Sequence, residues 1–143
     1  ELLFVHFVKS IVEMLIYSHI LVEDTLTEVS ISKKEVGKTD ELSDAVITIT
    51  ANGDGADVSN ATSTNDTFTK TETSVSFTSK DAQTIIKGLV SGTYTLHEDT
   101  APVGYSTATD ITFQIDENGV VTVGENVVTN ILVEDNGFYF DLI

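Results

Sequence analysis

The 143-residue chain has no cysteine and no tryptophan, one proline, one methionine and only seven basic residues. Without cysteine there is no disulfide framework, no thiolate metal site and no thiol nucleophile. If the protein works outside a cell, its covalent reinforcement must come from another chemistry. Seven Lys and Arg against 23 Asp and Glu leave a formal charge of -16. That balance excludes a surface that binds nucleic acid through phosphate contacts, and it disfavours anionic membranes. It favours solubility and opposes self-association. His6, His19 and His97 are scattered and make no metal set. There is no Gly-rich phosphate loop, and no Ser/His/Asp arrangement has motif context. The sequence therefore calls for no metal and no cofactor.

What is abundant is Thr and Val, which suit strands better than helices. From Glu28 onward the signals are all β: short alternating runs separated by turn residues, the pattern of a β-sandwich. Val29–Lys33 reads as the opening strand and EVGKTDEL as a polar turn. Ala45–Thr50 follows, with Ile47 and Ile49 on one face. Residues 51–67 read as loop by composition. Val75 and Phe77 alternate in TSVSFTS. Ile85, Ile86 and Leu89 precede a turn at Ser91–Gly92, and GTYTLHE follows as a strand. ITFQI and VVTV flank DENG as a hairpin. Asn130–Asp135 is the closing strand.

Residues 1–22 are different in kind. His6, Lys9, Ser10, Glu13 and Tyr17 recur at steps of three and four, a narrow polar stripe on an apolar rod, as in a helix. Lys9 and Glu13 fall inside it, which counts against a transmembrane span. The initial glutamate and the lack of a small-residue cleavage site count against a signal peptide. Two readings stay open: a leader foreign to the folded domain, or a hydrophobic helix that packs on a partner or a neighbouring copy. Strand formation is a third. Any membrane contact is confined to this segment. Ile20–Asp24 and Ile131–Asp135 both read ILVED, the one clear internal repeat. Either it is a coincidence, or the first copy is the last strand of a preceding module and Thr25–Glu28 is the linker.

Strand parity singles out two ionisable residues. Side chains alternate between faces, so Lys33 shares a face with Val29 and Ile31. It is aimed at a core unless it lies at a frayed end and reaches water. A buried amine must be paired, neutralised or chemically consumed. Glu98 likewise follows Tyr94 and Leu96 on one row, and burial there raises a carboxyl pKa.

Gly92–Tyr105, GTYTLHEDTAPVGY, then resembles the motif of Cna B-type domains, the prealbumin-like modules of Gram-positive adhesins and pilins. Tyr94, Thr95, Leu96, Glu98, Ala101, Pro102, Gly104 and Tyr105 match in register. SISKKE is similar to that family's lysine-bearing first strand, and ELSDAVITI to the approach to its second, with Asp44 where glycine is usual. ITFQIDENGVVTV resembles the penultimate hairpin, so the likeness spans roughly Glu28–Asn136. It implies an Ig-like or prealbumin-like β-sandwich. It also implies an intramolecular isopeptide bond between a first-strand lysine and a last-strand Asp or Asn, assisted by a glutamate. Position assigns Lys33 as the amine and Glu98 as the catalyst. Parity selects Asp135 as the partner, since Ile131, Val133 and Asp135 share a face. Asn136 is the alternative, Asn130 a weaker third, and Lys34 the substitute amine.

The expected organisation is a leader at 1–19, a strand remnant and linker at 20–27, the sandwich at 28–136 and a tail at 137–143. The expected role is a structural stalk or spacer module of a bacterial cell-surface adhesin or pilin. Its partners are neighbouring modules of the same polypeptide, and it is not a turnover enzyme. Two rivals are a ligand-binding module that uses loop 51–74 on a host protein or glycan, and an oligomerisation unit completed by the N-terminal segment. NGDGAD (Asn52, Asp54, Asp57) lacks the spacing and closing acid of a calcium loop and reads as turn. Asn60 and Asn65 begin sequons, meaningful only in a secretory eukaryotic host.

Overall fold

The computed structural model describes residues 26–138. The hydrophobic leader, the first ILVED copy, His6, His19 and most of the tail lie outside them. Among the described residues every regular element is a strand. In chain order they are β1 (Glu28–Glu35), β2 (Val46–Gly53), β3 (Thr62–Ser63), β4 (Thr69–Lys70), β5 (Ser74–Thr78), β6 (Thr84–Lys87), β7 (Gly92–Thr100), β8 (Tyr105–Ser106), β9 (Ile111–Ile115), β10 (Val121–Val123), β11 (Asn126–Val128) and β12 (Ile131–Gly137).

They form two sheets, ordered β3-β6-β1-β12-β8 and β11-β10-β9-β7-β2-β5-β4. The edges are strands of two or three residues, too short to template pairing with another chain. At the centre of the first sheet, opening and closing strands run parallel, with Ile31 opposite Ile131 and Lys33 opposite Val133. Parallel neighbours need a long crossover. Here that crossover is nearly the whole domain.

Alternation builds the core. Val29 and Ile31 of β1, Ile47 and Ile49 of β2, Tyr94 and Leu96 of β7, Phe113 of β9 and Ile131 and Val133 of β12 are all buried between the sheets. The Tyr94 and Phe113 rings stack with centroids 5.4 Å apart. Burial pushes the Tyr94 hydroxyl above its usual pKa. It donates to the Val90 carbonyl at 2.8 Å, which satisfies it inside the core.

Several boundaries differ from the sequence expectation. Residues 51–67 are not wholly loop: β2 continues to Gly53, and Thr62–Ser63 pairs with β6. Val58 and Ala61 are core residues. The Asn65 side chain donates to the Thr78 carbonyl at 2.9 Å and accepts from the Thr67 amide. It is a structural clamp, with its amide nitrogen already engaged. Tyr105–Ser106 and Asn126–Val128 are strands that two or three residues of composition do not announce, and β12 runs two residues beyond Asp135. In the acidic turn, Asp54 accepts from Thr93 and Asp57 from the Ser59 amide.

Candidate functional site

The inward row of β1 ends on Lys33, that of β12 on Asp135, and that of β7 on Glu98. Their residue exposures are 3%, 1% and 2%. β1 and β12 belong to one sheet and β7 to the other, so the amine and one carboxyl lie side by side and the second carboxyl covers them. A register shift in the β2–β7 pairing falls between Val46 and Ile47, immediately past the residue opposite Glu98. Such a bulge ends the regular inward alternation at a sheet end.

Lys33 Nζ stands 2.6 Å from Asp135 Oδ1 and 3.4 Å from Glu98 Oε1. Proximity and orientation do not agree. Nζ, Glu98 Oε1 and both Asp135 oxygens are buried, yet none has a hydrogen-bond partner of proper angle. Groups removed from water without aligned partners are costly, and a buried ion pair recovers that cost only when its geometry is good. Glu98 Oε2, in contrast, accepts the Ala108 backbone N–H at 2.6 Å. Burial, and next the carboxyl of Asp135, raise Glu98 above its usual pKa, against the opposing pull of the Ala108 amide and the Lys33 charge. Glu98 is thus biased towards the neutral acid, a hydrogen-bond donor at the point where it faces the other two groups.

The structure brings Lys33, Glu98 and Asp135 together and leaves the alternatives apart. Asn136 is on the exposed face of β12, where its backbone pairs with Ser106. The Asn130 side chain accepts from Ser30 at 3.0 Å, on the other side of β1. Lys34 is only part-buried, with its backbone bridged to Glu41. One feature of the site escapes a reading of side chains, the Ala108 amide, since every non-proline residue has one. Asp44, where the resemblance expects glycine, has φ 76°, the left-handed conformation that glycine adopts without strain. Among the described residues no cluster of His, Asp and Glu is suited to a metal, and no helix is long and apolar enough to cross a membrane.

Comparison with known proteins agrees with this architecture. The profile of the SpaA prealbumin-like fold domain matches residues 27–127. Of solved structures, the pilus-presented adhesin Spy0125 (Cpa) is 28% identical, with a TM-score of 0.53 over 73% of this chain and 21% of that one. A streptococcal ancillary pilin is 23% identical, with a TM-score of 0.52 over 79% of this chain and 30% of that one. The shaft pilin SpaA from Lactobacillus rhamnosus GG is 17% identical, with a TM-score of 0.54 over 85% of this chain and 54% of that one. At those two identities the likeness shows the fold alone. The chain spans about a fifth of the adhesin's length. No curated protein sequence matches it. The chain belongs to the SpaA prealbumin-like fold domain family, a structural and non-enzymatic family of pilins and pilus adhesins.

Proposed function

We propose that this domain is a stalk or spacer module of a bacterial cell-surface adhesin or pilin, stapled to itself by an amide bond between Lys33 and Asp135 with Glu98 as catalyst. The observation that carries the reading is the 2.6 Å approach of Nζ to a carboxyl oxygen, dry and without hydrogen-bond alignment. As separate ions the two groups are a liability; as an amide they carry no charge. The chemistry balances. A proton passes from the Lys33 ammonium to the Asp135 carboxylate, directly or through Glu98, since only a neutral amine is nucleophilic and only a protonated carboxyl is a fair electrophile. Nζ attacks Cγ of Asp135, and Glu98 Oε1–H supports the oxygen on which charge develops. The C–O bond breaks, the hydroxyl leaves with a proton as water, and Glu98 ends as it began. Folding supplies the effective concentration.

The product would tie the two parallel central strands together at one end, so a pull on the chain termini would pass through the bond. In a chain without cysteine this tie cannot be reduced. The ILVED repeat fits the same role. β12 shows what the pentapeptide does in this module: Ile131, Val133 and Asp135 inward, Leu132 and Glu134 outward. Ile20–Asp24 repeats the same five residues in sequence, and only Thr25–Glu28 separates that copy from Val29, a spacing that suits a linker between modules. We therefore assign 20–24 to a preceding module and 25–27 to the linker, and extend this module from the expected 28–136 to 28–137, since Gly137 still pairs with Tyr105. The loop 51–74 supports the structural role, since Val58, Ala61 and Asn65 serve the core.

The test is the intact mass of the wild type against Lys33→Ala and Glu98→Ala. The wild type is expected one water lighter than its sequence, and both variants at full mass. A wild type at full mass would sink the proposal.

A further inference from the structure

Adjacent residues of β7 point to opposite faces, and both are held by the same short segment, residues 107–110. On the outer face, His97 Nδ1 lies 2.6 Å from Asp110 Oδ1. On the inner face, Glu98 Oε2 accepts the Ala108 N–H at 2.6 Å. The β7–β9 pairing ends at Leu96 opposite Ile111. The chain before β9 therefore leaves the ladder just where these two side chains capture it.

A backbone N–H can only donate, and the better acceptor of a neutral carboxyl is its bare carbonyl oxygen. The Ala108 amide therefore distinguishes two otherwise equivalent oxygens. Oε2 is held as the bare one. Oε1 faces Lys33 Nζ at 3.4 Å and has no hydrogen-bond partner of its own. We propose that the Ala108 backbone amide is a positioning group that places the Glu98 proton on Oε1, the oxygen facing the reacting pair. This rests on the cross-link reading above and adds the reason why Glu98 acts as an acid towards Asp135 and not away from it. Nothing in the chemistry of Ala108 itself is required. Its side chain is part of the apolar surround, and only its N–H matters.

The test replaces that amide by an ester, through incorporation of the α-hydroxy analogue of alanine at position 108 during cell-free synthesis of the full chain. Water loss is followed by intact mass against time and pH, with Ala108→Gly as the variant that keeps the N–H. The expected ester rate is at least about tenfold slower, a part of the roughly hundred- to ten-thousand-fold that a positioned acid supplies. The pH profile separates positioning from loosened structure. The titratable groups facing Glu98 are Lys33 from β1 and Asp135 from β12, while β2 presents Ile47 opposite it. With those unchanged, loss of a bond that lowers the Glu98 pKa moves the alkaline limb of the rate profile to higher pH. Ala108→Gly is expected to match the wild type in rate and limb. An ester with wild-type kinetics, a slowed ester with an unmoved limb, or a Gly variant that behaves like the ester each overturns the assignment. A wild type that never loses water is distinguishable from all three, and removes the cross-link reading and this one together.

Discussion

A lysine at the end of an inward row is tolerated only if something answers its charge, and here the answer is Asp135 beside it and Glu98 above it. Glu98 is shifted upward chiefly by burial, which gives a stability test in a background where no bond can form. A carboxyl whose folded pKa is raised contributes fully below its unfolded value, and that contribution is lost as pH rises through the folded value. From the ordinary value of 4.5 upward, Lys33→Met is therefore expected to lose stability with rising pH. Lys33→Met/Glu98→Gln should be flatter over the same window; urea titrations at several pH values would show it, and parallel curves would contradict it. The partner residue is checked separately. Asp135→Asn should lose ammonia in place of water, and Asn136→Ala should leave the wild-type mass loss intact. Asp44 is a third residue-scale case. Held at φ 76° and exposed, it pays the steric penalty of a left-handed L-residue, so Asp44→Gly is expected to raise stability by about 1 kcal/mol or less, once glycine's extra unfolded-state entropy is counted. A drop in the urea midpoint would count against that account.

At the scale of elements, the strands with alternation over five or more residues were legible from composition and parity: β1, β2, β5, β7, β9 and β12 all lie where the apolar rows place them. The two-residue strands β3, β4 and β8 were not, because no period exists in two residues and their pairing is decided by the neighbour they meet. The turns behave alike. Composition marks Ser91–Gly92 as a turn but does not say that Gly92 has the Ala56 backbone against it. A Cβ there would meet Ala56 N at 2.4 Å, so Gly92→Ala is expected to cost at least about 1–3 kcal/mol by overpacking against main chain that cannot swing aside. A chemical-denaturation midpoint equal to the wild type would show that the acidic turn yields more easily than its packing suggests.

For the whole molecule, the consequence of the proposed bond is a closed loop of about a hundred residues between Lys33 and Asp135. By the chain-entropy account such a closure is worth roughly 4–5 kcal/mol. Lys33→Met is therefore expected to lower Tm by on the order of 15–25 °C, and reductant should leave the wild-type Tm unchanged. Melting curves of wild type and variant that superimpose would mean that the staple carries no stability. Much of this protein was determined by its sequence alone. The all-β class follows from period-two alternation, the inward aim of Lys33, Glu98 and Asp135 from parity, and the family resemblance from the row of matches between Tyr94 and Tyr105. Those are local properties, fixed by the order of residues along one strand. Only the tertiary structure decided that three strand ends, from positions 33, 98 and 135, meet at one point and leave Asn136 and Asn130 outside it. Parity gives a face but not a neighbour. The parallel register of β1 on β12, the crossing of β7 above them and the hydrogen bond from the Ala108 amide to Glu98 Oε2 are facts of pairing and packing that no single strand's residue order contains.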